Sequence, residues 1–169
     1  MLTLAPSVCS RLDLESPLGL LRLTAIDGAL TGLEFLGQVP TSDNATGCDC
    51  LDEAAEQLRR YFQSPARGFD LPLAPVGTGF QQRVWATLQD IPCGAVWRYG
   101  EVAERLGTAP RAVGRACGAN PLPILIPCHR VVGALGLTGY SGGGPGDGLA
   151  IKQWLLKHEG VKKWPGMRH

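Results

Sequence analysis

Residues 69–79 read FDLPLAPVGTG, and this stretch restricts the fold more than any other. Proline lacks the N–H that a helix interior or a central strand requires, and glycine weakens both. With two prolines and two glycines in these eleven residues, no regular element is expected to run through them, and they are expected to form a linker. The chain then divides into an N-terminal unit, residues 1–75, and a C-terminal unit, residues 76–169. A chain of 169 residues has room for one large domain or two small ones.

Charge divides in the same place. Residues 1–79 carry five Lys/Arg against ten Asp/Glu, and residues 80–169 carry eleven against five. The net charge of +1 therefore conceals −5 in one half and +6 in the other. A basic half suits contact with a polyanion; chance partition of surface charge is the plain alternative. A composition 44% hydrophobic and 18% charged implies a packed core and excludes a disordered chain. No apolar run approaches the roughly 18 residues of a membrane span, so no membrane association is expected. The start, MLTLAPSVCSRLDLE, lacks the basic and apolar regions of a secretory signal. A cytoplasmic location with six reduced thiols is the expectation. The cysteines form no C-x-x-C pair, and GCDC, with Cys48 and Cys50, is a poor zinc signature. No metal and no cofactor are expected.

The N-terminal unit reads as a small antiparallel sheet plus a helix. The apolar-rich runs LGLLRLTA and ALTGLEFL flank IDG, a turn at Asp27 and Gly28, which predicts a β-hairpin. DNATGCDC reads as a polar loop. LDEAAEQLRRYF places Leu51, Ala54, Ala55, Leu58 and Phe62 on one helical face. The C-terminal unit reads as mainly α. TGFQQRVWATLQD opens a helix with a capping box at Thr78 and Gln81, and Phe80, Val84, Trp85 and Leu88 form its apolar stripe. IPCGAVWRYG is a turn and connection. GEVAERLG and RAVGRACGAN then predict two helices around a short turn, one ending at Gly107 and the other near Asn120, a helix-turn-helix arrangement. GLAIKQWLLKHEG is the last helix, closed by Gly160. The fold class expected is an α/β N-terminal domain followed by a mainly α C-terminal domain with a helix-turn-helix.

The second helix of that pair is unusually smooth. Ala112, Gly114, Ala116, Cys117, Gly118 and Ala119 give it little bulk, and Arg111 and Arg115 are its only long side chains. Each interior glycine costs about 1 kcal/mol against alanine. Tight packing against a neighbouring helix would account for this. So would close approach of a nucleic acid groove to Arg111, Ala112, Gly114 and Arg115.

ILIPCHRVV, residues 124–132, sets Cys128 and His129 between apolar runs. A thiol in apolar surroundings is ordinarily an inert small hydrophobe. A neighbouring base changes this by lowering the thiol pKa below about 8.5. Adjacent residues of a strand face opposite ways, so contact between this cysteine and histidine requires a turn or a bridging water.

FQQRVWATLQDIPCG, YGEVAERLG, NPLPILIPCHRVV, GLTGYSGG and IKQWLLKHEG, spread over about residues 79–160, together resemble the O6-alkylguanine-DNA alkyltransferase family. The resemblance implies a repair protein that binds duplex DNA carrying alkylated bases, as a monomer. It would flip the damaged base through the minor groove and move the alkyl group irreversibly to a cysteine, once per molecule. O4-alkylthymine is implied as a further substrate. The implied nucleophile is Cys128. His129 is the implied base, acting through water, and Glu159 orients it. Tyr99 would donate to guanine N3, helping the base leave as a neutral purine. Asn120 would satisfy backbone groups between the smooth helix and the cysteine segment, and Arg111 would fill the gap left by the flipped base. Tyr140 and Ser141 would line the base pocket, Pro123 and Val131 would form apolar walls, and Cys117 would stand at a further pocket position. Arg130 is expected to anchor the segment structurally and is assigned no chemistry.

This chain departs from the family pattern twice. Only Thr108, Ala109 and Pro110 lie between Gly107 and Arg111, where relatives often have about two more residues. GPGDG, residues 144–148, is an insertion, read here as a pocket rim that widens tolerance for bulky adducts. Two rival readings remain: a lesion-binding alkyltransferase-like protein without transfer, and a turnover cysteine hydrolase. The presence of Cys128 opposes the first. The lack of a Gly-rich oxyanion motif opposes the second.

Overall fold

A computed structural model describes residues 7–38, 47–138 and 148–167. Three antiparallel strands, β1 (Cys9–Ser16), β2 (Gly19–Ile26) and β3 (Ala29–Gly37), form a sheet in sequence order. The turn between β2 and β3 falls at Asp27 and Gly28, with φ of 50° and 81°. Positive φ at both central residues gives a turn whose twist matches that of the strands, and Asp-Gly tolerates it. Leu21, Leu23 and Ala25 alternate into the core from β2. Strand β1 was not expected. Of its inward-facing positions 10, 12 and 14, one is a serine, which blurs the apolar alternation.

Helix α1 (Asp49–Gln63) covers the sheet. It begins two residues inside the stretch read as a polar loop, with Cys48 as its N-cap, so Cys50 is helical and half-buried. Leu51, Ala54, Ala55 and Leu58 are buried as expected, but the face closes with Tyr61, and Phe62 is only partly buried. Two of the turns on this face are spaced by three residues rather than four, which rotates Tyr61 inward.

The expected linker is partly paired. Leu73 bridges to Leu30, with Leu30 N–H donating to the Pro72 carbonyl and Ala74 N–H to the Leu30 carbonyl, both at 2.8 Å. The prolines fall where no N–H is called upon, so the segment lies along the outer edge of β3.

Helix α2 (Gly79–Leu88) carries the expected capping box. Gln81 N–H donates to Thr78 Oγ1 at 3.2 Å, and Thr78 N–H to Gln81 Oε1 at 2.9 Å. The connection to the next helix contains β4 (Trp97–Arg98), which pairs in parallel with β5 (Val131–Val132). Helix α3 (Tyr99–Leu106) ends at Gly107 in the left-handed region, and α4 (Pro110–Gly118) starts with proline at its first position. Trp85 of α2 donates its indole N–H to the Ala116 carbonyl of α4 at 2.8 Å. Helix α5 (Gly148–His158) completes the fold. One buried cluster takes residues from both sides of the linker, and Leu33 N–H of β3 donates to the Pro121 carbonyl at 2.9 Å. No helix among the described residues is long and apolar enough to cross a membrane.

Candidate active site

The segment after α4 is folded back on itself. Residues 122–129 are all buried. Ile126 N–H donates to the Leu122 carbonyl and Cys128 N–H to the Ile126 carbonyl, both at 2.8 Å. Pro127, at φ −81° and ψ 62°, has the conformation of a three-residue turn, which that second bond closes. Ile124 has φ 72°, a costly conformation for a β-branched residue that is retained where surroundings over-determine it. Cys128, His129 and Arg130 then form one turn of 3-10 helix. This turn removes the obstacle to communication between adjacent cysteine and histidine side chains.

Asn120 ties the segment to α4. Its Oδ1 accepts from Leu122 N–H at 2.9 Å, and its Nδ2 reaches the Ile126 carbonyl at 2.9 Å and Cys128 Sγ at 3.1 Å. One amide therefore satisfies two backbone groups and also offers a donor to the sulfur, where it favours the thiolate.

His129 is fully buried. Its Nε2 lies 2.8 Å from Glu159 Oε1. With Glu159 ionised, Nε2 carries the proton and donates. Nδ1 has no partner among the described residues and is left with a lone pair. Burial holds the imidazole pKa below its ordinary value, helped by Arg130 and Lys152 and opposed by Glu159. Burial alone would raise the Glu159 pKa, but hydrogen bonds from His129 and Arg130 outweigh it and hold the carboxyl well below the usual range. Arg130 grips the carboxylate with Nε and Nη2, each at 2.9 Å, and donates from Nη1 to the Ile91 carbonyl at 2.7 Å.

Two participants in this arrangement, Tyr61 and Lys152, are not indicated by the sequence, and a third, Arg130, is expected there only as a structural anchor. Tyr61 donates its hydroxyl to Glu159 Oε1 at 2.7 Å. Arg130 anchors the cysteine segment as expected, through Glu159 and the Ile91 carbonyl. Lys152 is fully buried, with Nζ 2.6 Å from the Val131 carbonyl and 3.3 Å from that of Thr138. Burial lowers the Lys152 pKa, while the neighbouring Cys128 and Cys117 oppose that shift. Its position was legible in principle: Lys152, Leu155, Leu156 and Glu159 have the i, i+3, i+4, i+7 spacing of an inward face.

Burial pushes the Cys117 thiol up to about 12, and the nearby Cys128 adds to this. Burial likewise raises the Tyr99 phenol. Tyr99 stands at the first position of α3 and lines an open cleft of about 940 Å³ with Arg98, Arg111, Gly114, Arg115 and Thr138. Arg111 and Arg115 are exposed, and Ala112 and Gly114 are half-buried. Pro123 and Val131 are buried in the cysteine segment, and neither they nor Cys117 are among the described residues lining this cleft. Tyr140, Ser141 and all but the last residue of GPGDG lie outside the described residues. No cluster of three or more metal-ligating side chains occurs among the described residues.

Fold and site together define a two-part protein centred on a buried, hydrogen-bonded cysteine beside a His–Glu pair. A family described as 6-O-methylguanine DNA methyltransferase, DNA binding domain, matches residues 79–161. A methylated-DNA–protein-cysteine methyltransferase of Methanosarcina acetivorans is 43% identical over 156 residues, covering 86% of this chain and 95% of that protein. One from Mycolicibacterium paratuberculosis is 45% identical over 151 residues, covering 86% and 88%. Among solved structures, Mycobacterium tuberculosis OGT in complex with DNA superposes with a TM-score of 0.76 at 41% identity, covering 89% of this chain and 92% of that one. The chain belongs to the methylated-DNA–protein-cysteine methyltransferase family.

Proposed function

We propose that this chain repairs alkylated DNA directly, moving a methyl or larger alkyl group from O6 of guanine in duplex DNA to Cys128 Sγ, once per molecule. The observation that best supports this is the paired set Asn120–Cys128 and His129–Glu159, with Cys128, His129 and Glu159 buried and His129 Nδ1 unpartnered among the described residues. In this reading His129 Nδ1 takes the thiol proton through a water, and Nε2 stays bound to Glu159. Sulfur attacks the alkyl carbon as the C–O6 bond breaks, and the electron pair returns to the purine. Tyr99 remains protonated because its pKa is raised by burial, and it donates to N3 as the base leaves. The thioether is stable, so the protein is consumed. A dry segment favours displacement because a desolvated thiolate is a stronger nucleophile.

Arg111, Ala112, Gly114 and Arg115 of α4 are the proposed minor-groove surface, with Arg111 entering the stack as the base flips out. Pro123, Val131, Cys117, Tyr140 and Ser141 are the proposed pocket, and O4-alkylthymine is the proposed further substrate. The protein is proposed to act as a monomer in the cytoplasm, without cofactor.

The test compares wild type with Cys128→Ala on a duplex containing O6-methylguanine, followed by nucleoside analysis of the DNA. Wild type should restore guanine, whereas the variant should bind the duplex and restore none. Restoration by the variant would remove Cys128 as the nucleophile. Binding without restoration by wild type would favour the lesion-binding alternative.

A further inference from the structure

Tyr61 lies on α1, 98 positions before Glu159. It is joined to the end of α5 twice. Its hydroxyl donates to Glu159 Oε1 at 2.7 Å, and its carbonyl accepts from His158 Nε2–H at 2.8 Å. His158 is itself held by Trp154, stacked with 4.7 Å between ring centroids, and lies edge-on to the Tyr61 ring at 5.4 Å. Consecutive residues of α5 and its end are thus fastened to one residue of the N-terminal half.

Glu159 Oε1 accepts from Tyr61, His129 and Arg130, and Oε2 accepts from Arg130. Burial, reinforced by the Glu159 charge, pushes the Tyr61 phenol far above its ordinary range. Burial would lower the Arg130 pKa, but its bonds to Glu159 raise it overall. Both groups therefore remain donors at any pH at which a protein stays folded. Of the side chains bound to the Glu159 carboxylate, His129 is the one that changes charge on acidification, with burial holding its pKa below the ordinary value.

We infer that Tyr61 is a positioning residue for alkyl transfer: its hydroxyl holds Glu159 as an anion of fixed orientation and so sets the basicity of His129. The N-terminal half thereby takes part in the chemistry. This rests on the roles proposed above for Cys128 and His129. Without the hydroxyl, Oε1 loses one donor and its charge acts more fully on His129 Nε2–H. The imidazolium is then better stabilised, and Glu159 also binds a proton more readily. The first effect makes the site lose its neutral base at higher pH, and the second weakens the anion that fixes the His129 tautomer. Looser orientation of the ring slows transfer as well.

The test is the single-turnover transfer rate from methylated duplex against pH, for wild type and Tyr61→Phe, with duplex affinity measured alongside. Tyr61→Phe should be about tenfold slower at neutral pH, since a bond to a charged group is lost. Its acid limb should move to higher pH, and its duplex affinity should not change. An unchanged rate and profile overturns the inference. So does a slower rate with an unmoved acid limb, the result of a merely structural role. Should the variant not fold, a fluorinated tyrosine at position 61 keeps shape and hydroxyl while strengthening the donor. The acid limb should then move to lower pH, and an unmoved limb overturns the inference equally. Absence of transfer by wild type would sink the functional reading and this inference together, whereas failure of this inference alone leaves wild-type transfer intact.

Discussion

Glu159 illustrates how much depends on single residues here. Its side chain is fully buried and neutralises an Arg130 side chain that is 11% exposed. Removing one member of a buried pair leaves the other charge uncompensated, at a cost of about 3–5 kcal/mol. Glu159→Gln should therefore lower stability by that order in urea unfolding; a change within experimental error would mean that Arg130 is solvated. Asn120→Ala would leave the Leu122 N–H without its partner and the Ile126 carbonyl with the Cys128 N–H alone. An unsatisfied buried group costs about 1–3 kcal/mol, so this variant should be less stable and slower in transfer. Retained stability with unchanged transfer would contradict the role given to its amide. The family resemblance singles out Cys128, His129, Glu159 and Asn120, and the structure brings these four together. Tyr61 escaped because nothing in the local sequence of a helix indicates a partner 98 positions away. Arg130 is legible only as an anchor of its own segment, because the carboxylate it binds lies 29 positions away.

Among the elements, α4 carries the proposed DNA surface. A Cβ added at Gly114 would meet Tyr99 Cε1 at 3.9 Å, an ordinary contact. Alanine there should be accommodated, and helix propensity should favour it by roughly 1 kcal/mol. A bulky residue should instead obstruct the cleft that Gly114 lines. Gly114→Leu is thus expected to keep its melting temperature and lose duplex affinity, measured by fluorescence anisotropy. Unchanged affinity would place the DNA elsewhere. Arg115→Ala should weaken binding about equally across sequences and reduce the slope of log K against log salt by about 1. Elements with strong local signals were legible: the Asp-Gly hairpin, the capping box of α2 and the Gly107 stop of α3. The first strand was not, because its inward positions include Ser10. The start of α1 was missed because Cys48 is not among the residues that favour an N-cap.

Across the whole molecule, the two halves share one buried cluster, and the segment read as a linker is partly paired with β3. Proline and glycine content marks where regular structure stops; it does not say whether the stretch packs. The buried titratable groups then shape stability against pH. His129 has its pKa held below the ordinary 6.5, so below that pH the unfolded chain binds more protons and folding weakens. Glu159 has its pKa held below the ordinary 4.5, so its contribution is present above that value and is lost on further acidification. The urea midpoint should fall as pH drops below about 6.5 and fall more steeply below about 4.5. A midpoint that rises on acidification would contradict both assignments.

The most direct measurement of the central claim is the intact mass of the protein after incubation with duplex DNA carrying O6-methylguanine, followed by peptide mapping. One added CH₂ per molecule, located on the peptide that contains Cys128, is the predicted result. An unchanged mass at saturating duplex, or a methyl group on any other residue, would contradict it.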